Sequence, residues 1–165
     1  MLSNDILLDA ARLLVELRAA GLRLVSAESC TGGLVCAALT SVAGSSEVVE
    51  RGFVTYSNEA KTDVLGVPAE LIAKHGAVSE EVAREMAAGA LRAANPAGVS
   101  VSVTGIAGPG GGSAAKPVGL VYLAAQRRGR PVVVKECLFA DPGRAEIRAR
   151  SVKAAFDLVR AALTT

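Results

Sequence analysis

Five short Val-rich runs, and what separates them, constrain the fold of this chain more than any other feature. They are "LRLVS", "GFVTYS", "GVSVSVTG", "VGLVYLAAQ" and "PVVVKECLF". Helical patterns lie before and between the first three, whereas the last three follow one another directly. Near-continuous apolar strands need cover on both faces, and three strands in succession need at least one antiparallel pairing. The helices read from Ile6, Leu7, Leu13, Leu14 and Leu17 at helical spacing with Gly21 as C-cap, then from "TGGLVCAALTSV", "NEAKTDVLG" with Asn58 as N-cap, and "SEEVAREMAAGALRAA" with Ser79 as N-cap. Val82 stands where a full capping box would need Glu or Gln, so only the Ser half of that motif is present. A long helix from about Arg144 to Leu163 closes the chain. The order αβαβααβββα predicts an α/β fold, a three-layer α/β/α arrangement with a mixed five-stranded sheet, built as one domain over residues 1–165. At 165 residues and 51% hydrophobic, the chain can bury a core without disulfides or metal.

Composition excludes several function classes. The formal net charge is only +2, aromatics are 3% of residues and Trp is missing, so neither a basic stripe nor stacking platforms for nucleic acid are expected. Cys30, Cys36 and Cys137 are odd in number and lack C-x-x-C spacing, which predicts neither a disulfide framework nor a zinc site and fits a reducing cytoplasm. The opening "MLSNDILLDAARLLVELRAAG" carries Asp5, Asp9, Arg12 and Glu16 on a helical pattern, unlike a signal peptide or membrane span. No Asp/Glu/His cluster suggests a metal, and no Walker or dinucleotide fingerprint is present, so no cofactor is expected.

Chemistry concentrates in three loops, each directly after a strand, where open α/β sheets bind ligands. They are "AESCTGG", "YSNEAK" and "TGIAGPGGG". In the first, Ser29 reads either as a helix N-cap or, if Thr31 takes that role, as a nucleophile beside the amides of Cys30, Thr31, Gly32 and Gly33. Cys30 is the rival nucleophile or a small buried hydrophobe. Glu28 either orients a lysine or caps a neighbouring loop. In the second loop, Lys61 near a helix start is either solvated or, if buried, a lysine of lowered pKa able to act as general base. Tyr56 either stacks on a ligand or fills the core. The one histidine, His75 in "AKHGAV", has nothing local to place it in a triad, and a capping or solvent role suits it better. Arg144 and Arg148, four apart at the start of the last helix, are either a solvated face or a phosphate site.

With these residues in view the chain resembles the C-terminal domain family of the competence/damage-inducible protein CinA. The resemblance runs from about Leu7 to Leu163, through "AESCTGG", "AGSSEVVERGFVTYSNEAKTDVLGV", "HGAVSEEVAREMA" and "TGIAGPGGG...KPVGLVY". It implies an α/β/α fold, hydrolysis of nicotinamide mononucleotide to the acid and ammonia, a Ser-Lys pair at Ser29 and Lys61, and a homo-oligomer, usually a dimer. Expected substrate contacts are Glu28, Cys30, Thr31 and Gly32 from the first loop and Tyr56 and Asn58 from the second. Thr104, Gly105, Ala107, Gly108 and Gly110 follow from the third, with Arg144 and Arg148 for the phosphate. Gly110 stands where some members carry an acid, and Ala115 where many do, so any polar role there is lost. The rivals are a nucleotide-binding regulatory domain without turnover and a protein-interaction domain. A pure binder needs neither Ser29 nor Lys61, and no exposed apolar stripe announces a protein partner.

Overall fold

A computed structural model of the protein describes residues 2–140 and 142–165. Its strands are β1 (Leu24–Glu28), β2 (Val49–Val54), β3 (Val99–Gly105), β4 (Leu120–Arg127) and β5 (Val132–Leu138). Its helices are α1 (Asn4–Ala19), α2 (Leu34–Thr40), α3 (Asn58–Leu65), α4 (Ala69–His75), α5 (Glu80–Ala93) and α6 (Arg144–Thr164). The strands form one sheet in the order β2-β1-β3-β4-β5. β1 is parallel to both β2 and β3, and β4 and β5 add antiparallel. The mixed five-stranded α/β/α architecture is as the sequence predicts.

The period of 2 along a strand sorts its side chains between two cores. On one face Leu24, Val99, Val101, Val103 and Leu123 pack with α1, α2 and α6 through Leu13, Leu17, Val35, Phe156 and Val159. On the other, Val25 and Ala27 pack with Leu65, Ile72, Val82, Met86 and Ala90 of α3, α4 and α5. Small residues let α5 approach this second face closely. Ala83 and Ala87 meet Ala124, the Ser102 hydroxyl donates to Ala83 O at 2.7 Å, and a Cβ on Gly89 would lie 2.1 Å from Leu65 O.

Two helix readings are corrected. Three helices, not two, lie between β2 and β3, the extra one being α4. It is seven residues long, is bracketed by Pro68 and Gly76, and buries only Ile72, so it offers no apolar period to read. The N-cap of α3 is Ser57, whose side chain accepts the Ala60 N–H, rather than Asn58. Asn58 is thus the first helical residue. Ser79 caps α5 as expected, accepting the Val82 N–H.

The three parallel strands run the same way and end at Glu28, Val54 and Gly105, β3 two residues beyond β1, so the three loops singled out above emerge at the same end of the sheet. Between β3 and β4 the chain is clasped at its base, with Ile106 N–H donating to Leu120 O and Gly119 N–H to Ile106 O. Residues 107–118 are left as a closed loop beside the other two.

Candidate active site

Glu28 organises the first loop. It ends β1 pointing inward, is 1% exposed, and its carboxylate accepts Gly33 N–H and Val35 N–H at 3.0 Å on Oε2 and Cys36 N–H at 2.9 Å on Oε1. The Ser26 hydroxyl donates to Oε1 at 3.2 Å. The start of α2 is thus satisfied by an internal carboxylate, because its N-cap residue, Gly33, has no side chain to do so. Of the two readings for Glu28, capping is the one the geometry supports, and neither Ser29 nor Thr31 caps the helix. The Thr31 hydroxyl is buried with no partner among the described residues.

The turn from β1 into α2 passes through Gly32 and Gly33, both at positive φ, where a side chain would be strained. Ser29 N–H donates to Val103 O and Gly32 N–H to Ser29 O. Gly33 N–H is on Glu28, so among the described residues only the Cys30 and Thr31 amides of this turn are not taken up by an oxygen acceptor.

Lys61 comes from the first turns of α3 and is 1% exposed. Its Nζ lies 3.1 Å from Ser29 Oγ and within 2.9, 3.3 and 3.4 Å of the carbonyl oxygens of Thr55, Tyr56 and Ser57. Burial lowers the pKa of this amine from the ordinary lysine range, the expected desolvation effect. A neutral amine has two N–H groups and one lone pair. Two N–H groups can serve the two nearest carbonyls, which leaves the lone pair for the Ser29 O–H. Ser57 O is served separately by the Lys61 backbone N–H.

Ser29 and Lys61 lie on one wall of a cleft of about 270 Å³. Cys30 also lines it, but burial pushes its thiol up to about 11, so it is protonated at neutral pH. Thr104, Gly105, Ala107, Gly108 and Gly110 line the wall made by the third loop, and Tyr56 and Arg144 stand at the rim. Tyr56 is 61% exposed, so it does not fill the core. Arg144 spans the rim, donating to Gly108 O at 2.7 Å and to the Tyr56 hydroxyl at 3.2 Å.

Five expected contacts are not among the cleft-lining residues. Glu28, Thr31 and Gly32 of the first loop lie off the cleft, and Asn58 borders a separate groove with Ile72 and Ala73. Arg148 does not line the cleft either, since its Nη2 donates to Thr31 O at 2.8 Å. A wall that sequence reasoning missed is formed by Ala77 and Val78. It is held by the Thr104 hydroxyl on Ala77 O at 2.8 Å and by Lys116 Nζ on His75 O and Val78 O. His75 pairs with Glu81 on the outside of that wall. The "HGAV" and "KPVG" stretches carried the signal, but no residue type in them points to a ligand.

Comparison with known proteins fits this geometry. Residues 9–163 match the CinA C-terminal domain. The chain is 56% identical over 126 residues to the Escherichia coli protein named nicotinamide-nucleotide amidohydrolase PncC, covering 76% of each. It is 63% identical over 113 residues to a CinA-like protein of Citrifermentans bemidjiense, where the match covers 68% of this chain but 27% of that longer protein. Among solved structures, the competence/damage inducible protein CihA of Agrobacterium tumefaciens superposes with a TM-score of 0.95 at 50% identity, covering 100% of this chain and 99% of that one. Competence damage-inducible protein A of Klebsiella pneumoniae gives 0.87 at 39% identity, covering 97% and 96%. With a match over nearly its whole length, and with the loops that carry the resemblance gathered around one cleft, the chain belongs to the CinA C-terminal domain family.

Proposed function

We propose that the protein is an amidohydrolase that converts nicotinamide mononucleotide to nicotinic acid mononucleotide and ammonia through an acyl-enzyme on Ser29. The observation that carries this reading is the buried Lys61 amine 3.1 Å from the Ser29 hydroxyl at the wall of the cleft. The likeness to a protein named as a nicotinamide-nucleotide amidohydrolase supplies the substrate class.

The Ser29 oxygen bonds to the carboxamide carbon while its proton passes to the Lys61 lone pair. The oxygen of the tetrahedral adduct takes the negative charge, and the Cys30 and Thr31 amides, which no oxygen of the described residues takes up, are the donors available to it. The C–N bond then breaks as Lys61 returns its proton to the departing nitrogen, releasing ammonia and leaving an ester on Ser29. Water attacks that ester, its proton passes by way of Lys61 to the Ser29 oxygen, and the acid departs. An amide leaves only when its nitrogen is protonated, and an amine of lowered pKa can take up a proton and give it back.

Arg144 is the cation at the cleft rim and is the residue to which this reading gives the phosphate. The working unit is proposed to be a homodimer. Two measurements together test the function. Purified protein should release ammonia from nicotinamide mononucleotide, and Ser29→Ala should abolish turnover while retaining affinity for the mononucleotide. Binding without ammonia release by the unmodified protein would favour a regulatory nucleotide-binding domain instead.

A further inference from the structure

Arg148 lies one turn into α6, behind the turn that carries Ser29 and outside the cleft lining. Its guanidinium makes one hydrogen bond, from Nη2 to Thr31 O, and the same nitrogen stands 3.4 Å from where a Cβ on Gly32 would be. Its Nε is buried with no acceptor, and among the described residues no carboxylate is in ion-pair range of it. A half-buried cation placed this way adds little to the stability of a fold, because its partial desolvation is offset by a single neutral acceptor.

What the arrangement does achieve is orientation. The Thr31–Gly32 peptide is fixed at both ends, its oxygen by Arg148 and by Leu34 N–H, its nitrogen by donation to Ser29 O. Ser29 N–H is fixed on Val103 O. Between these anchors lie only the Cys30 and Thr31 amides, so their direction is set by the ties on either side.

We propose that Arg148 is a positioning residue. It holds the Cys30 and Thr31 amides where they receive the oxyanion, and its charge, unneutralised by any described carboxylate, favours the negative charge that forms there. The proposal rests on Ser29 being the nucleophile.

Its test uses the full chain with Arg148→Met and Arg148→Lys, both assayed at a temperature where circular dichroism shows them folded. Arg148→Met should lose about ten- to a hundredfold in kcat, with KM for nicotinamide mononucleotide within about twofold of the unmodified protein. The same fold-loss should appear on nicotinamide riboside, which has no phosphate. The 3-aldehyde analogue of the mononucleotide, which adds the Ser29 oxygen to give a tetrahedral adduct, should bind weaker by a similar factor, while affinity for the acid product stays unchanged. Arg148→Lys should recover part of the kcat, and it alone decides the matter if the Met variant does not fold. A rise in KM confined to the mononucleotide would overturn the proposal in favour of a phosphate ligand. Unchanged kcat and analogue affinity with lowered thermal stability would overturn it in favour of a structural role. If Ser29→Ala keeps its turnover, the nucleophile assignment itself fails. If Ser29→Ala is inactive and Arg148→Met is fully active, only the role given to Arg148 fails.

Discussion

Replacing Glu28 by Gln changes one oxygen to an NH2 group with almost no change in volume, and the structure sets the cost. The carboxylate accepts four hydrogen bonds, two on each oxygen. If the Gln oxygen takes the Oε2 position, the Gly33 and Val35 bonds survive as neutral ones. The NH2 then faces the Cys36 N–H, donor against donor, while the Ser26 hydroxyl can rotate to accept. One buried N–H without an acceptor costs about 1–3 kcal/mol, and two charge-assisted bonds made neutral lose roughly 0.5–1 kcal/mol each. Part of this is recovered because a neutral amide is cheaper to bury than a carboxylate. The net expectation is a loss of about 2–4 kcal/mol. At about 2–4 °C per kcal/mol for a chain of this size, the melting temperature should fall by about 5–15 °C. Urea unfolding followed by circular dichroism at neutral pH measures the free energy directly, and an unchanged slope with denaturant would show that the unfolded state is unaltered. A loss below about 0.5 kcal/mol would refute the reasoning, since it would mean that α2 does not depend on this carboxylate for its start.

Other outcomes are expected from the same geometry. Cys30→Ala should retain most activity, measured as ammonia release, because a thiol pushed up to about 11 is protonated and removing it leaves Ser29 and Lys61 in place. The logarithm of kcat/KM should rise with pH until Lys61 is deprotonated and then level off, and that inflection should lie below the ordinary lysine value of 10.5. Lysine 61 also links stability to pH. With its folded pKa below the unfolded one, the unfolded chain binds more protons between the two values, so this contribution grows as pH rises toward 10.5 and is lost as pH falls. Urea unfolding at neutral and alkaline pH should therefore show Lys61→Met losing, as pH rises, whatever advantage it holds at neutral pH; parallel pH profiles would contradict this. Arg144→Ala should raise KM for the mononucleotide by about tenfold or more while leaving the riboside little changed, a comparison that separates it from Arg148. Activity should survive exhaustive chelation, read as ammonia release before and after treatment.

The strands were legible because Val-rich runs bounded by glycines leave few alternatives, and their order alone required the mixed sheet. The position of the cleft was legible for the same reason, since loops at the ends of parallel strands must converge. Individual side chains were less so. Arg144 and Arg148 are spaced to share a helical face, yet Arg144 in the first turn reaches out over the rim to Gly108, while Arg148 a turn later meets the back of the Thr31 peptide. Spacing gives a face but not the partner opposite it. Asn58 and Ser57 are both good caps, and two adjacent cap residues do not themselves say which one is left non-helical. For Glu28 the sequence left two readings open, and the one that holds is capping, since a strand residue facing inward with only Gly33 to cap the next helix is a carboxylate with an evident task.

The clasp at Ile106 and Gly119 separates two evolutionary liabilities. Strand register on one side and the shape of the cleft wall on the other can drift independently, because the hairpin is closed before residues 107–118 begin. Closing a somewhat longer loop at a fixed base costs little, about 0.6 kcal/mol per doubling of its length. The segment is therefore a natural cassette for grafting, in which sequence can be exchanged to accept differently shaped amides without re-engineering the scaffold. One tether must travel with every graft: Lys116, whose ammonium reaches out of the loop to brace the opposite bank of the cleft at His75 and Val78.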